Sequence, residues 1–170
     1  MKLFDYIRDV PDFPKPGVVF KDMTPLMADP SALDDSIMRL VAPFRSEPVD
    51  LVAGMEARGF IFGALAAKEL ACGFVPLRKP GKLPGATETV SYDLEYGSAA
   101  LEAHRDAFKG RRRVLVVDDV LATGGTAAAA LALVEKLGGE VVGCAFLLEL
   151  TFLDGRARLP GRRIQSVLSV

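Results

Sequence analysis

Residues 113–126 read RVLVVDDVLATGGT and restrict the fold more than any other part of the chain. Val114, Leu115, Val116 and Val117 form an apolar run without polar alternation, the pattern of a strand buried on both faces of a parallel sheet. In such a sheet, ligands bind beyond the carboxyl ends of the strands. Here that end carries two carboxylates, Asp118 and Asp119, followed by Ala122, Thr123, Gly124, Gly125 and Thr126 and then an alanine-rich stretch. Glycines let backbone approach a ligand closely, and successive N–H groups at a helix N-terminus attract an anion. The loop therefore suits a phosphate monoester, while two carboxylates beside it suit hydroxyl groups or a metal ion better than the phosphate itself. A sugar phosphate satisfies both halves. No Lys follows the second glycine, which excludes a Walker loop, and the spacing is not G-x-G-x-x-G.

The rest of the chain repeats the strand, turn, helix pattern. A short helix over residues 2–8 leads into VPDFPKPGVVF, where Pro11, Pro14 and Pro16 require an irregular arm. Asp29-Pro30-Ser31 starts a helix, with Leu33, Ile37, Leu40, Val41 and Phe44 at helical spacing, and Pro43 should end or kink it. A buried strand is expected at 49–53, then a helix after GMEARGF that runs to residue 71 and is closed by Gly73. The next strand, 74–78, contains Pro76, which either moves it toward a sheet edge or leaves it with one unpaired position. Residues 79–100 mix glycines, prolines and charges with β-prone Thr, Val and Tyr, and read as a mobile hairpin or lid. A helix over 124–137 is stopped by Gly138 and Gly139, and strands are expected at 141–150 and 164–170. Strands alternating with helices give an α/β fold with a parallel sheet.

Composition excludes several function classes. A chain of 170 residues buries a sufficient core as a single domain, 1–170. With 21 basic and 22 acidic residues, no global field recruits nucleic acid or a membrane surface. Cys72 and Cys144 lack a CxxC spacing or a partner His, so buried free thiols in a reducing, cytoplasmic setting are expected. The start, MKLFDYIRDV, has no apolar core of a signal peptide, and no stretch reaches the roughly 20 apolar residues of a membrane span.

Other residues carry candidate chemistry. Arg78, Lys79 and Lys82 open the lid, where cations could meet a polyanionic leaving group, and Arg58 follows strand 49–53 with the same potential. Lys109-Gly110-Arg111-Arg112-Arg113 reads as a solvated turn instead, and His104 as a solvated side chain in a charged helical stretch. Glu95 and Tyr96 lie in SYDLEYG; the residues alone leave Glu95 either an exposed loop carboxylate or an acid–base group enclosed on lid closure. Phe20 reads as core, or as a ring that stacks on a flat base.

The segment RVLVVDDVLATGGT resembles the phosphoribosyl diphosphate (PRPP) signature of type I phosphoribosyltransferases. PDFPKPGVVFKD, MEARGFIFG, LRKPGKLPG and SYDLEYG are similar, in the same order, to blocks of the adenine phosphoribosyltransferase family. The resemblance implies that family's parallel β-sheet flanked by helices, with a small N-terminal hood over residues 1–30 and a lid over 79–100. It implies adenine plus PRPP giving AMP and diphosphate in purine salvage, by a homodimer, with Mg²⁺ held mainly by substrate. Carried over position by position, Asp118 and Asp119 meet the ribose hydroxyls, and Ala122, Thr123, Gly124, Gly125 and Thr126 hold the 5′-phosphate. Arg58, Arg78, Lys79 and Lys82 fall to diphosphate; Val19, Phe20, Lys21 and Leu150 to adenine; and Glu95, beside Tyr96 in the lid, to purine N7. A cis peptide is expected between Glu56 and Ala57. Relatives acting on 6-oxopurines usually carry Asp where this chain has Ala122, which favours adenine over hypoxanthine or guanine; an enzyme for another base, orotate included, is the alternative. A PRPP-sensing regulator that binds nucleic acid would need a basic face, for which this sequence gives no sign.

Overall fold

The computed structural model describes residues 1–93, 98–110 and 113–170. Its centre is the apolar run already singled out, extended to strand β7 (Arg113–Leu121). Around it, β3 (Leu51–Met55), β4 (Gly73–Leu77), β8 (Glu140–Glu149) and β9 (Ile164–Ser169) complete a five-stranded sheet in the order β4-β3-β7-β8-β9. Every neighbouring pair in it is parallel. Side chains of β7 alternate between two cores: Val114 and Val116 pack with one cluster, Leu115 and Val117 with the other. The first cluster includes Ala127, Ala130 and Leu133 of helix α4 (Gly125–Lys136). The second includes Ile37, Leu40 and Val41 of α2 (Pro30–Val41) and Phe62 and Ala66 of α3 (Gly59–Glu69). Helices thus cover both faces.

Local chemistry explains most element ends. Asp29 caps α2, its carboxylate accepting from Ala32 N–H at 2.8 Å, and Pro30 occupies the first turn. Pro43 falls in a 3₁₀ turn, Ala42–Phe44, so the α-helix stops at Val41 as expected. β4 is an edge strand, consistent with Pro76 lacking an N–H. A short helix, α1 (Thr24–Ala28), precedes α2, and the expected first helix is a single 3₁₀ turn, Leu3–Tyr6.

Several expectations need correction. The proline-rich arm is not wholly irregular: β1 (Arg8–Pro11) and β2 (Val19–Asp22) pair antiparallel, with Pro11 at the end of its strand. The first sheet strand lies two residues later than 49–53, because Asp50 serves as an anchor and not as strand interior. Its carboxylate accepts from Arg113 N–H at 2.9 Å and from the Arg113 guanidinium at 2.7 Å. Arg113 accordingly belongs to β7 and not to a solvated turn; Arg111 and Arg112 lie outside the described residues. Helix α3 ends at Glu69 and is closed by Ala71 at φ 53°, whereas Gly73 begins β4. His104 does not stand in a helical stretch, and residues 98–104 are not lid loop alone. They are β6 (Ser98–His104), paired antiparallel with β5 (Thr87–Asp93), and His104 contacts the Pro84 carbonyl through Nε2 at 2.8 Å. Cys144 is buried, but Cys72 is only half-buried.

The α3 layer sits close to the sheet because small residues face Phe74. A Cβ at Gly54 would lie 2.6 Å from the Phe74 ring and 3.0 Å from the Gly59 carbonyl; one at Gly63 would lie 2.8 Å from the same ring. Gly54→Ala should therefore overpack this layer and cost about 1–3 kcal/mol. Urea denaturation measures it, and an unchanged midpoint would show that the layer is looser than described.

Candidate active site

The strand order places a crevice between two loops. After β3 the chain crosses through α3 to β4 on one side, and after β7 it crosses through α4 to β8 on the other. The loops beyond the carboxyl ends of β3 and β7 therefore diverge, which is the topological switch point where open α/β sheets bind ligands. Residues 56–58 form one wall and residues 118–126 the other. Contact across it is tight: a Cβ at Gly59 would lie 2.5 Å from Asp118 Oδ1.

The 122–126 loop is built for an anion. Gly124 takes φ 81°, a left-handed conformation that glycine adopts at little cost, and turns the chain into α4. Among the described residues no side chain caps that helix, whose first turn borders a cavity of about 60 Å³ lined by Asp118, Ala122, Thr123, Gly124, Gly125 and Thr126. The loop's outer wall is backbone. A Cβ on Gly124 would strike the Gly155 carbonyl, and one on Gly155 would strike the Ala122 carbonyl. The segment bearing Gly155 is in turn fixed by Arg156, which donates twice to the buried Glu149 carboxylate at 2.7 Å, while Ser166 of β9 donates to it at 2.6 Å. The Arg156 hydrogen bonds hold the Glu149 carboxyl below the usual carboxylate range despite burial.

Asp118 and Asp119 stand at the mouth of this loop. Asp119 is buried and forms an ion pair with Arg58 Nε, off the line that a hydrogen bond requires, so its Oδ2 has no hydrogen-bond partner among the described residues. Burial, and next the Asp119 charge, push the Asp118 carboxyl well above the usual range, against the Asp119 N–H that donates to it at 2.9 Å. An unsatisfied buried oxygen beside a carboxyl that resists ionisation calls for external donors or a cation.

The opposite wall is organised by Glu56, next to the cis peptide that joins it to Ala57. Its carboxylate accepts from Lys79 N–H at 2.9 Å and from Arg78 at 3.2 Å. Those bonds, the Lys79 N–H first, lower its pKa. Arg78 also donates to the Lys82 carbonyl at 3.0 Å, so its guanidinium ties the loop together. Lys79 and Lys82 are exposed, and Lys79 borders a cavity of about 430 Å³ shared with Pro80, Ser91, Tyr92 and Ser98.

On the hood side, β2 alternates. Val19 and Lys21 join Leu150, Phe152 and Val170 around an apolar cavity of about 540 Å³, with Lys21 Nζ paired to Asp9 at 2.7 Å. Phe20, on the other face of the strand, is half-buried. It packs edge-on against Phe13 at 5.1 Å and lies 5.2 Å from the Arg58 guanidinium. The structure thus brings Val19, Lys21 and Leu150 together and directs Phe20 toward Arg58. Glu95 and Tyr96 lie outside the described residues.

Comparison with known proteins places this geometry. Residues 32–162 match the phosphoribosyl transferase domain. The adenine phosphoribosyltransferase of Methylococcus capsulatus is 63% identical over 167 residues, 98% of each chain. The crystal structure of the Rhodothermus marinus adenine phosphoribosyltransferase superposes with a TM-score of 0.94 at 53% identity, covering 99% of this chain and 96% of that one. The Giardia lamblia APRTase complexed with 9-deazaadenine gives 0.92 at 37% identity, covering 99% and 96%. The chain belongs to the adenine phosphoribosyltransferase family.

Within an adenine phosphoribosyltransferase, three features of this site escape a reading of the sequence. Glu56 is expected at the cis peptide of MEARGF, but nothing in that segment shows that its carboxylate accepts from Lys79 N–H and from Arg78. Gly155 and Arg156 brace the 122–126 loop from a distant part of the chain, and no local pattern announces that. Tyr92, read only as β-prone, places its phenol oxygen 3.4 Å from Thr126 Oγ1.

The Asp118 shift has a stability consequence. A carboxyl with a raised folded-state pKa favours the folded state most below the ordinary carboxylate range, and this contribution is lost as pH rises through the raised value. Asp118→Asn should therefore melt higher than the unliganded wild type near neutral pH, at about 2–4 °C per kcal/mol recovered. The difference should vanish in acid, below about pH 4. Thermal denaturation across pH tests this, and a difference that grew on acidification would contradict it.

Proposed function

We infer that this adenine phosphoribosyltransferase transfers the phosphoribosyl group of PRPP to adenine, releasing AMP and diphosphate, as a step of purine salvage. The observation that carries the reading is the pairing at the switch point of an α4 N-terminus without a side-chain cap among the described residues and two adjoining carboxylates, one of them with an oxygen that lacks a hydrogen-bond partner among those residues. The family of the chain supports it, as does the complex of the Giardia lamblia APRTase with 9-deazaadenine.

In this proposal the N–H groups of 122–126 and the hydroxyls of Thr123 and Thr126 hold the 5′-phosphate. Ribose hydroxyls donate to Asp118 and Asp119, supplying the donors that the pair lacks. Arg58, Lys79 and Lys82 meet the diphosphate, with Arg78 holding their loop in place behind them. Adenine lies against Val19, Phe20 and Lys21 and under Leu150. The C–O bond to diphosphate breaks as the N9–C bond forms at the anomeric carbon, and the Glu95 carboxylate accepts the N7 proton that adenine, reacting as its N7–H tautomer, gives up. Closing of the 79–100 lid excludes water that would otherwise hydrolyse PRPP.

Mg²⁺ enters this proposal with the substrate, held mainly by PRPP. Asp118 and Asp119 offer the protein's carboxylate oxygens here, and Mg²⁺ commonly takes one or two carboxylates with substrate oxygens and water. When bound, Mg²⁺ neutralises charge on the diphosphate. A homodimer and a cytoplasmic location belong to the same proposal. No helix of the described residues is long and apolar enough to cross a membrane.

AMP should form from adenine and PRPP with Mg²⁺, and not when Asp118 and Asp119 are both replaced by Ala; activity confined to hypoxanthine or guanine would sink the adenine reading. Glu95→Ala should lower kcat by about 100-fold or more with little change in PRPP affinity, the signature of lost acid–base work. Steady-state and single-turnover kinetics separate the two.

A further inference from the structure

The 122–126 loop meets the β5–β6 hairpin where Thr126 Oγ1 lies 3.4 Å from the phenol oxygen of Tyr92. Thr126 lines the phosphate-sized cavity and stands in the first turn of α4. Tyr92 belongs to β5, and its ring is partly buried against the core that α4 covers. At the far end of α4, Lys136 pins the same strand, pairing with Glu88 at 2.6 Å and donating to the Thr89 carbonyl at 3.3 Å. The phenol is therefore presented by a strand clamped along the helix.

The rotamer of Thr126 is not fixed by its own helix. A threonine hydroxyl inside a helix can donate to a carbonyl three or four residues earlier, but Thr126 is the second residue of α4, Ala122 and Thr123 precede the helix, and the Ala122 carbonyl approaches Gly155. Its hydroxyl donates instead to the Tyr92 phenol oxygen, and a proton given there is unavailable to a bound dianion. At 3.4 Å the contact with Tyr92 is longer than an ordinary O–H···O bond. Thr126 can thus hand its proton to a stronger, charged acceptor, after which the phenol donates where it had accepted.

We propose that Tyr92 is a positioning residue for the 5′-phosphate: its O–H donates to Thr126 Oγ1 and fixes that hydroxyl in the rotamer that gives its proton to a phosphate oxygen. The inference rests on reading 122–126 as the 5′-phosphate loop. It gives the hairpin a part in phosphate recognition separate from the cations near its base. Tyr92 also borders the cavity containing Lys79, so the test must separate the two cavities.

Calorimetric titration of the full chain with AMP, adenine and Mg²⁺-diphosphate does so. Tyr92→Phe should weaken AMP about 5- to 10-fold, the worth of one oriented hydrogen bond, and leave adenine and diphosphate unchanged. In a Thr126→Val background the same replacement should have no further effect, whereas in Thr126→Ser, which keeps the hydroxyl and folds if the valine variant does not, it should weaken AMP again. Equal losses with and without the Thr126 hydroxyl, a loss on diphosphate in place of AMP, or unchanged AMP affinity would each overturn the proposal. A wild-type chain that binds adenine but not AMP would remove the phosphate-loop reading itself, and this inference with it.

Discussion

Everything in this molecule depends on β7 being buried on both faces. Because Val114 and Val116 serve one core and Leu115 and Val117 the other, helices must cover both sides of the sheet. Right-handed crossovers from neighbouring parallel strands then carry α3 and α4 to opposite faces. Their N-termini part above the β3–β7 boundary, and the gap left there is the site. Catalytic geometry in this fold follows from the way a sheet is covered, before any polar residue is chosen.

The polar residues that fill the gap do not stabilise it well. A buried carboxylate oxygen without a hydrogen bond, an ion pair to Arg58 that is poorly aligned, and a second carboxyl pushed upward by burial all disfavour the unliganded state. Tolerating such groups is rational only if a ligand relieves them, since the same unsatisfied atoms then discriminate in favour of the molecule that completes them. The neighbouring backbone contributes rigidity instead. Gly54, Gly59 and Gly63 allow α3 to approach Phe74 and Asp118 within van der Waals contact, so this wall of the crevice has little room to shift.

How much of this could be read from residues alone varied with the range of the interaction. Local patterns sufficed for β7, for the Asp29 cap and Pro30 start of α2, for its end before Pro43, and for the edge position of β4. They failed where a distant partner decides. Asp50 looked like strand because its bond to Arg113, 63 residues later, was invisible, and for the same reason Arg113 looked like part of a solvated turn. The charged stretch ending at His104 has helix-compatible composition, but its pairing with Thr87–Asp93 makes it strand. In the site, the glycine-containing turn of 122–126 into α4 was legible because its pattern is contiguous. Glu56, Tyr92 and Gly155 were not, because each acts on residues brought near only by the fold.

The backbone wall behind the phosphate loop also orders events in time. Gly155 touches Ala122 and Gly124, Arg156 holds Glu149, and Glu149 is held by Ser166 on the last sheet strand. A ribosome delivers the aspartates and the loop some 40 residues before that strand. The nascent chain therefore carries residues 122–126 for a while without the surface that shapes them, and the proposed phosphate site is completed late, with β9.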